Sequence, residues 1–98
     1  MRADYDSQVD ALDIELFRFG QTERDEVVDD SFCVVTFANG RPAAVELLTP
    51  AMHLDLLDVA ASRFNLDAVE LRAAAQAALA APDRVVEVEV AAVRASAA

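Results

Sequence analysis

The sequence predicts an α+β fold: an antiparallel sheet of four to five strands with two helices on one face, in the order ββββααβ. Three observations carry this. Asn39-Gly40 between two apolar runs marks a two-residue hairpin. Stretches beginning at Thr49-Pro50 and at Asp67 combine helix-start residues with helical periodicity. Near the end of the chain, Val85-Val86-Glu87-Val88-Glu89-Val90 alternates with the period of a strand.

The elements follow in order. Met1 to Asp6 is acidic and polar and leads into the first strand. There Leu12, Ile14 and Leu16 alternate with Asp13 and Glu15, the period of a half-buried strand. Val9, Leu12, Leu16 and Phe19 also fit a helix, but Ile and Phe suit a pleated surface better. A strand is therefore expected, with a bulge or edge near Leu16-Phe17 and Gly20 as its stop. Residues 22–28 read as a polar strand, and Asp29-Asp30-Ser31 as a turn.

The hairpin strands are residues 32–37 and 42–48. A type I′ turn at Asn39-Gly40 pairs Val34 with Val45 and Phe32 with Leu47 on the expected core face. Cys33, Val35 and Phe37 then lie on the other face, opposite Glu46, Ala44 and Pro42. Thr49 offers an N-cap hydroxyl and Pro50 the first helical position, with Leu54, Leu57, Ala61 and Phe64 as the apolar stripe. Asp67, with Glu70 three residues later, resembles a capping box; residues 68–81 are strong helix formers, and Pro82 ends them. In the last strand Val86, Val88 and Val90 face one way, Glu87 and Glu89 the other.

Composition bounds the function. Ninety-eight residues make one domain, expected over residues 1–93 with 94–98 as a frayed tail. The net charge of −10 disfavours direct binding to nucleic acid, which needs clustered cations. All eight basic residues are Arg, so a P-loop lysine, a Schiff-base lysine and a Ser-Lys dyad are excluded. One Cys, one His and two Gly exclude disulfide frameworks, zinc fingers and Gly-rich dinucleotide loops. No cofactor is expected. The acidic start resembles no secretory signal, and no apolar run reaches the roughly 18–20 residues of a membrane helix. A cytoplasmic protein with reduced Cys33 and no membrane contact is expected.

The residues Tyr5-Asp6, Asp10-Ala11-Leu12 with Ile14 and Leu16, Glu26-Val27-Val28-Asp29-Asp30, and Gly40-Arg41 with Val45-Glu46-Leu47-Leu48 form an ordered pattern over residues 4–57. It resembles a small, widespread bacterial domain-of-unknown-function family. The chain departs from that family at Asp13, where an aromatic is common, and at Ser31, where glycine is usual. Its hairpin tip is reduced to Asn39-Gly40, and residues 66–93 extend past the family core. The resemblance implies a small antiparallel sheet followed by a helix, with no assigned catalytic residues. Some members look like antitoxin-type partners of small ribonuclease-like toxins.

Candidate sites are carboxylates. Residues 1–30 hold ten acids against Arg2, Arg18 and Arg24, which is seven of the ten net negative charges. Asp6, Asp10, Asp13, Glu15, Asp29 and Asp30 are the interaction candidates in this third of the chain. The patch reads either as a solvated sheet face that deters edge-to-edge association or as a surface that steers a basic protein. The leading expectation is a non-enzymatic acidic interaction module, antitoxin-like toward a basic partner. An alternative is a small hydrolase or metal- or ligand-binding domain using Tyr5, Asp6 and Asp10 with Asp29 and Asp30. The other is a structural homo-oligomer, joined through the Ala-rich helix or the Val86/Val88/Val90 strand. Asp29-Asp30 reads first as a turn former, Asp10 as a residue that caps or kinks the strand entry, and the Tyr5 ring as a cover for the core edge. A Cys33–His53 dyad lacks any accompanying nucleophile motif, and Cys33 sits among apolar strand residues.

Overall fold

The computed structural model describes residues 1–89; Val90 and the tail after it lie outside the described residues. Asn39 and Gly40 take φ angles of 56° and 76°. Positive φ at both central positions is what a type I′ turn requires, and its twist matches the strands it joins. The turn links β4 (Cys33–Ala38) to β5 (Arg41–Leu48). Next to it the register is the expected one, with Ala38 opposite Arg41 and Phe37 opposite Pro42. One step later it shifts: Thr36 faces Ala44, so Ala43 is an extra residue in β5. Its carbonyl accepts a hydrogen bond from the Leu16 N–H at 2.7 Å.

That bulge corrects the predicted pairing. Val35 pairs with Val45 and Cys33 with Leu47, while Val34 pairs with Glu46. Because side chains alternate faces, a slip of one residue exchanges the faces of a strand. Cys33, Val35, Phe37, Val45 and Leu47 are buried together, and Val34 lies on the opposite face, only half-buried. The helices therefore cover the Val35/Val45 face, not a Val34/Val45 face.

The sheet has six strands, not four or five, in the order β3-β4-β5-β2-β1-β6, and all its pairings are antiparallel. The additional strand is β1 (Arg2–Asp6), which pairs with β2 (Ala11–Glu15) on one side and β6 (Val85–Glu87) on the other. The element order is thus βββββααβ. The expected long first strand stops at Glu15. Beyond it Phe17 packs edge-on to Phe19 at 6.1 Å, and Arg41 lies over the Phe17 ring at 4.0 Å. Arg24–Val28 forms β3, a charged edge strand, and the three-residue β6 forms the other edge. Charge on one edge and brevity on the other both discourage pairing with another chain. In β6 Val86 lies opposite Ala3, and the Val88 N–H donates to the Met1 carbonyl at 2.8 Å.

Two helices close the core from one side. Thr49 is not a side-chain cap: it sits at φ 46° and leads into a short 3-10 turn over Pro50–Met52. The helix α1 (Asp55–Phe64) begins later and buries Leu56, Leu57, Ala60 and Ala61, a stripe rotated from the expected one. Phe64 reaches the sheet through an edge-on contact with Phe37 at 5.4 Å. Asn65, at φ 57°, ends the helix in the left-handed conformation that Asn tolerates. Asp67 caps α2 (Ala68–Ala80) as expected, its carboxylate accepting the Glu70 N–H. Ala74, Ala75 and Ala78 on α2 and Ala3 on β1 are all buried. Small side chains on both surfaces let the helix lie close to the sheet. Asp58 and Arg72 tie α1 to α2 through two hydrogen bonds of 3.0 and 2.6 Å. Among the described residues no helix is long and apolar enough to cross a membrane.

The bulged register makes a sharp mutational distinction. Val35→Ala is expected to cost about 2 kcal/mol from lost burial and an unfilled cavity, and Val34→Ala less than about 0.5 kcal/mol. Urea unfolding of both variants checks this; equal losses would contradict the register.

Candidate functional site

The face of the sheet turned away from the helices is built from alternate residues of every strand. Strand pairings align one row across all six: Val27, Val34, Glu46, Asp13, Asp4 and Val85. The next row reads Asp25, Thr36, Ala44, Glu15, Arg2 and Glu87. Three carboxylates thus stand on three adjacent strands, with apolar residues at both ends of the row. Directly opposed side chains in such a sheet have Cβ atoms about 4.5–5.5 Å apart, where like charges repel.

Neutralisation in these rows is sparse. Arg2 is their only basic residue, and its Nε lies 3.4 Å from Glu15 Oε1. Asp25 Oδ1 accepts the Thr36 hydroxyl at 2.7 Å. Asp4, Asp13 and Glu46 have no cationic partner among the described residues. Asp13 sits in the centre of the row, on a strand with neighbours on both sides. Loss of water there, then the charges of Asp4, Glu46 and Glu15, push its carboxyl up to about 6.

The sequence-derived candidates divide into two groups. Asp13 and Glu15 belong to this face. Asp6, Asp10, Asp29 and Asp30 shape turns. Asp6 Oδ1 accepts the Gln8 N–H at 3.0 Å, and Asp10 Oδ1 accepts the Tyr5 hydroxyl at 2.6 Å. Asp10 has φ 54°, and its carbonyl accepts the Thr49 N–H at 2.9 Å. Asp29, Asp30 and Ser31 form a run of positive φ angles, 46°, 51° and 68°, that reverses the chain between β3 and β4. The two turns join different strand pairs, and β5 separates those pairs in the sheet order. The structure does not bring Asp6 and Asp10 together with Asp29 and Asp30 in one cluster. Among the described residues no group of three His, Cys, Asp or Glu side chains is disposed to hold a metal ion.

Asp4 and Glu46 join this row only through the strand pairings. In the sequence Asp4 carries one signal of its strand, since Arg2, Asp4 and Asp6 alternate with Ala3 and Tyr5.

Cys33 and His53 do not work as a pair. Cys33 is fully buried, and burial pushes its thiol up to about 11. His53 Nδ1 lies 3.1 Å from the Leu48 carbonyl and 3.0 Å from that of Thr49, so this nitrogen must be the donor. Its ring stacks on Phe32 at 4.2 Å. Two open clefts flank the molecule. One, of about 590 Å³, is lined by Asp4, Asp6, Ser7, Asp83 and Arg84; Asp83 is already engaged by the Ser7 N–H and hydroxyl. The other, of about 610 Å³, is mainly apolar and lies beside Leu16, Phe17, Phe64 and Leu66.

Two outcomes are expected. Cys33 should resist a thiol reagent at pH 8 in the native protein and react only on unfolding, as spectrophotometric titration would show. The pH effect at Asp13 has a definite sign. Its folded pKa is about 6 against an ordinary 3.8, so the folded state binds the proton more tightly. This contribution to stability is full below about 4 and is lost as pH rises through 6. Asp13→Asn should therefore raise Tm at pH 7.5 and have little effect at pH 4. A variant less stable than wild type at pH 7.5 would refute the assignment.

Compared with known proteins, the chain matches no family model, no curated protein and no solved structure.

Proposed function

We propose that this protein is a non-enzymatic interaction module whose helix-free sheet face docks a basic protein. One observation carries the reading: Asp4, Asp13 and Glu46 stand in a row on adjacent strands without a cationic partner among the described residues. Opposed like charges cost stability, and cations from a partner would relieve that cost. Val27, Val34 and Val85 at the ends of the row add apolar contact, the combination a protein surface with a basic centre fits. The acidic field also favours encounter with such a partner. An antitoxin-like role, covering the RNA-binding surface of a small basic toxin, is the specific form that the family resemblance favours. The row would then take the place of phosphates.

A nine-residue arginine peptide serves as a probe, with binding followed by isothermal titration at pH 7.5. The triple variant Asp4→Asn, Asp13→Asn, Glu46→Gln is compared with a charge-matched control, Glu23→Gln, Asp29→Asn, Asp30→Asn. The row variant should lose at least tenfold in affinity and the control less than threefold. Equal losses would mean that net charge alone attracts the peptide, and the docking reading would fall.

A further inference from the structure

We propose that residues 90–98 fill the apolar cleft beside the α1–α2 junction, so that the chain supplies the occupant of its own groove. The cleft is walled by that helix junction, so its occupancy is independent of docking on the helix-free sheet face.

The cleft, of about 610 Å³, runs between the sheet end at Met1, Leu16 and Phe17 and the helix junction at Phe64, Leu66 and Leu71. Leu71 is buried, whereas Met1, Leu16, Phe64 and Leu66 pack against the core yet are only partly buried. An apolar occupant would remove that remaining surface from water. Asp67 and Glu70 also line the cleft. Its one cationic lining residue among the described residues, Arg41, lies over the Phe17 ring at 4.0 Å. The lining therefore favours an apolar segment that carries a positive charge.

Residues 90–98 have that chemistry and come next in the chain. β6 runs antiparallel to β1, with Val86 opposite Ala3 and the Val88 N–H donating to the Met1 carbonyl at 2.8 Å. The described chain thus ends beside Met1, itself a wall of the cleft. Val88 already packs against the core, and Val90 is next in its alternation. From Val90 to Ala98 the residues are Val, Ala and Ser with a single charge, Arg94. Their small apolar side chains suit a groove, and Arg94 is opposite in sign to Asp67 and Glu70. A segment joined directly to β6 is also held at a high effective concentration. It therefore outcompetes a second copy or a free peptide of the same chemistry.

Methyl NMR on the whole chain tests this. The Val90 and Val93 methyls should give cross-relaxation peaks to the Leu66 and Leu71 methyls. In an equal mixture of labelled and unlabelled chains, an isotope-filtered spectrum should lack those peaks, because the contact lies within one molecule. Val90→Asp with Val93→Asp should abolish them and leave the Val35 and Val45 methyl shifts in place. The same variant should raise the fluorescence of the dye ANS about threefold, as apolar surface opens to water. Arg94→Glu should lower Tm, and Glu70→Arg in that background should restore it. A wild-type chain without the Val90 and Val93 contacts overturns the docking, whatever the variants do, and so does a folded double variant with unchanged dye fluorescence. Peaks in the filtered spectrum overturn self-docking and give the cleft to a second copy. An Arg94→Glu chain with unchanged Tm overturns the charge match.

Discussion

The extra residue at Ala43 sets which face of β3 and β4 joins the core face of the other four strands. Without it, the two-residue turn would pair odd-numbered residues of β4 with even-numbered residues of β5. Yet the apolar residues of both strands are odd-numbered: Cys33, Val35 and Phe37 on one, Ala43, Val45 and Leu47 on the other. No unbulged two-residue hairpin can put both sets on one face. The bulge resolves this conflict, and all six side chains become buried. It also places Val34 opposite Glu46 on the outer face, beside the row that the β1–β2 and β2–β5 pairings form from Asp4, Asp13 and Glu46.

The remaining elements serve that division. The end of the described chain is drawn back to its start, where the Asp83 N–H donates to the Tyr5 carbonyl at 2.7 Å and β6 pairs with β1. The small residues of α2 are spent against the sheet and α1, inside this chain. On the outer face the balance is different. There three carboxylates without a cationic partner among the described residues stand in register, each repelled by the next, and Arg2 is engaged by Glu15.

Much of the fold could be read from short-range signals. The Asn39-Gly40 turn and the Asp67 cap are legible because a few adjacent residues specify them, and of the strand expected over residues 85–90 the structure pairs Val85–Glu87, with Val90 outside the described residues. β1 was missed because its inner face is marked only by Ala3 and Tyr5, too few apolar side chains to announce a strand. Thr49-Pro50 carried a correct helix-start signal for a different element, since Thr49 adopts a left-handed conformation and a 3-10 turn intervenes. The candidate site was half visible. Asp13 and Glu15 were recognised by alternation with Leu12 and Ile14, whereas Asp6, Asp10, Asp29 and Asp30 drew attention through acidity and proved to be turn residues.

The sequence by itself determined the α+β class, the acidity of the first third, the lack of lysine and the positions of several local turns and caps. All of these follow from residue type or from neighbours a few positions apart. Only the tertiary structure decided which face of the hairpin is core, that residues 2–6 complete the sheet, and which carboxylates stand together. Asp4 and Asp13 come from neighbouring strands and Glu46 from one far along the chain, and their alignment depends on the β1–β2 and β2–β5 registers. Charge density is a property of composition, but its arrangement into a row is a property of register.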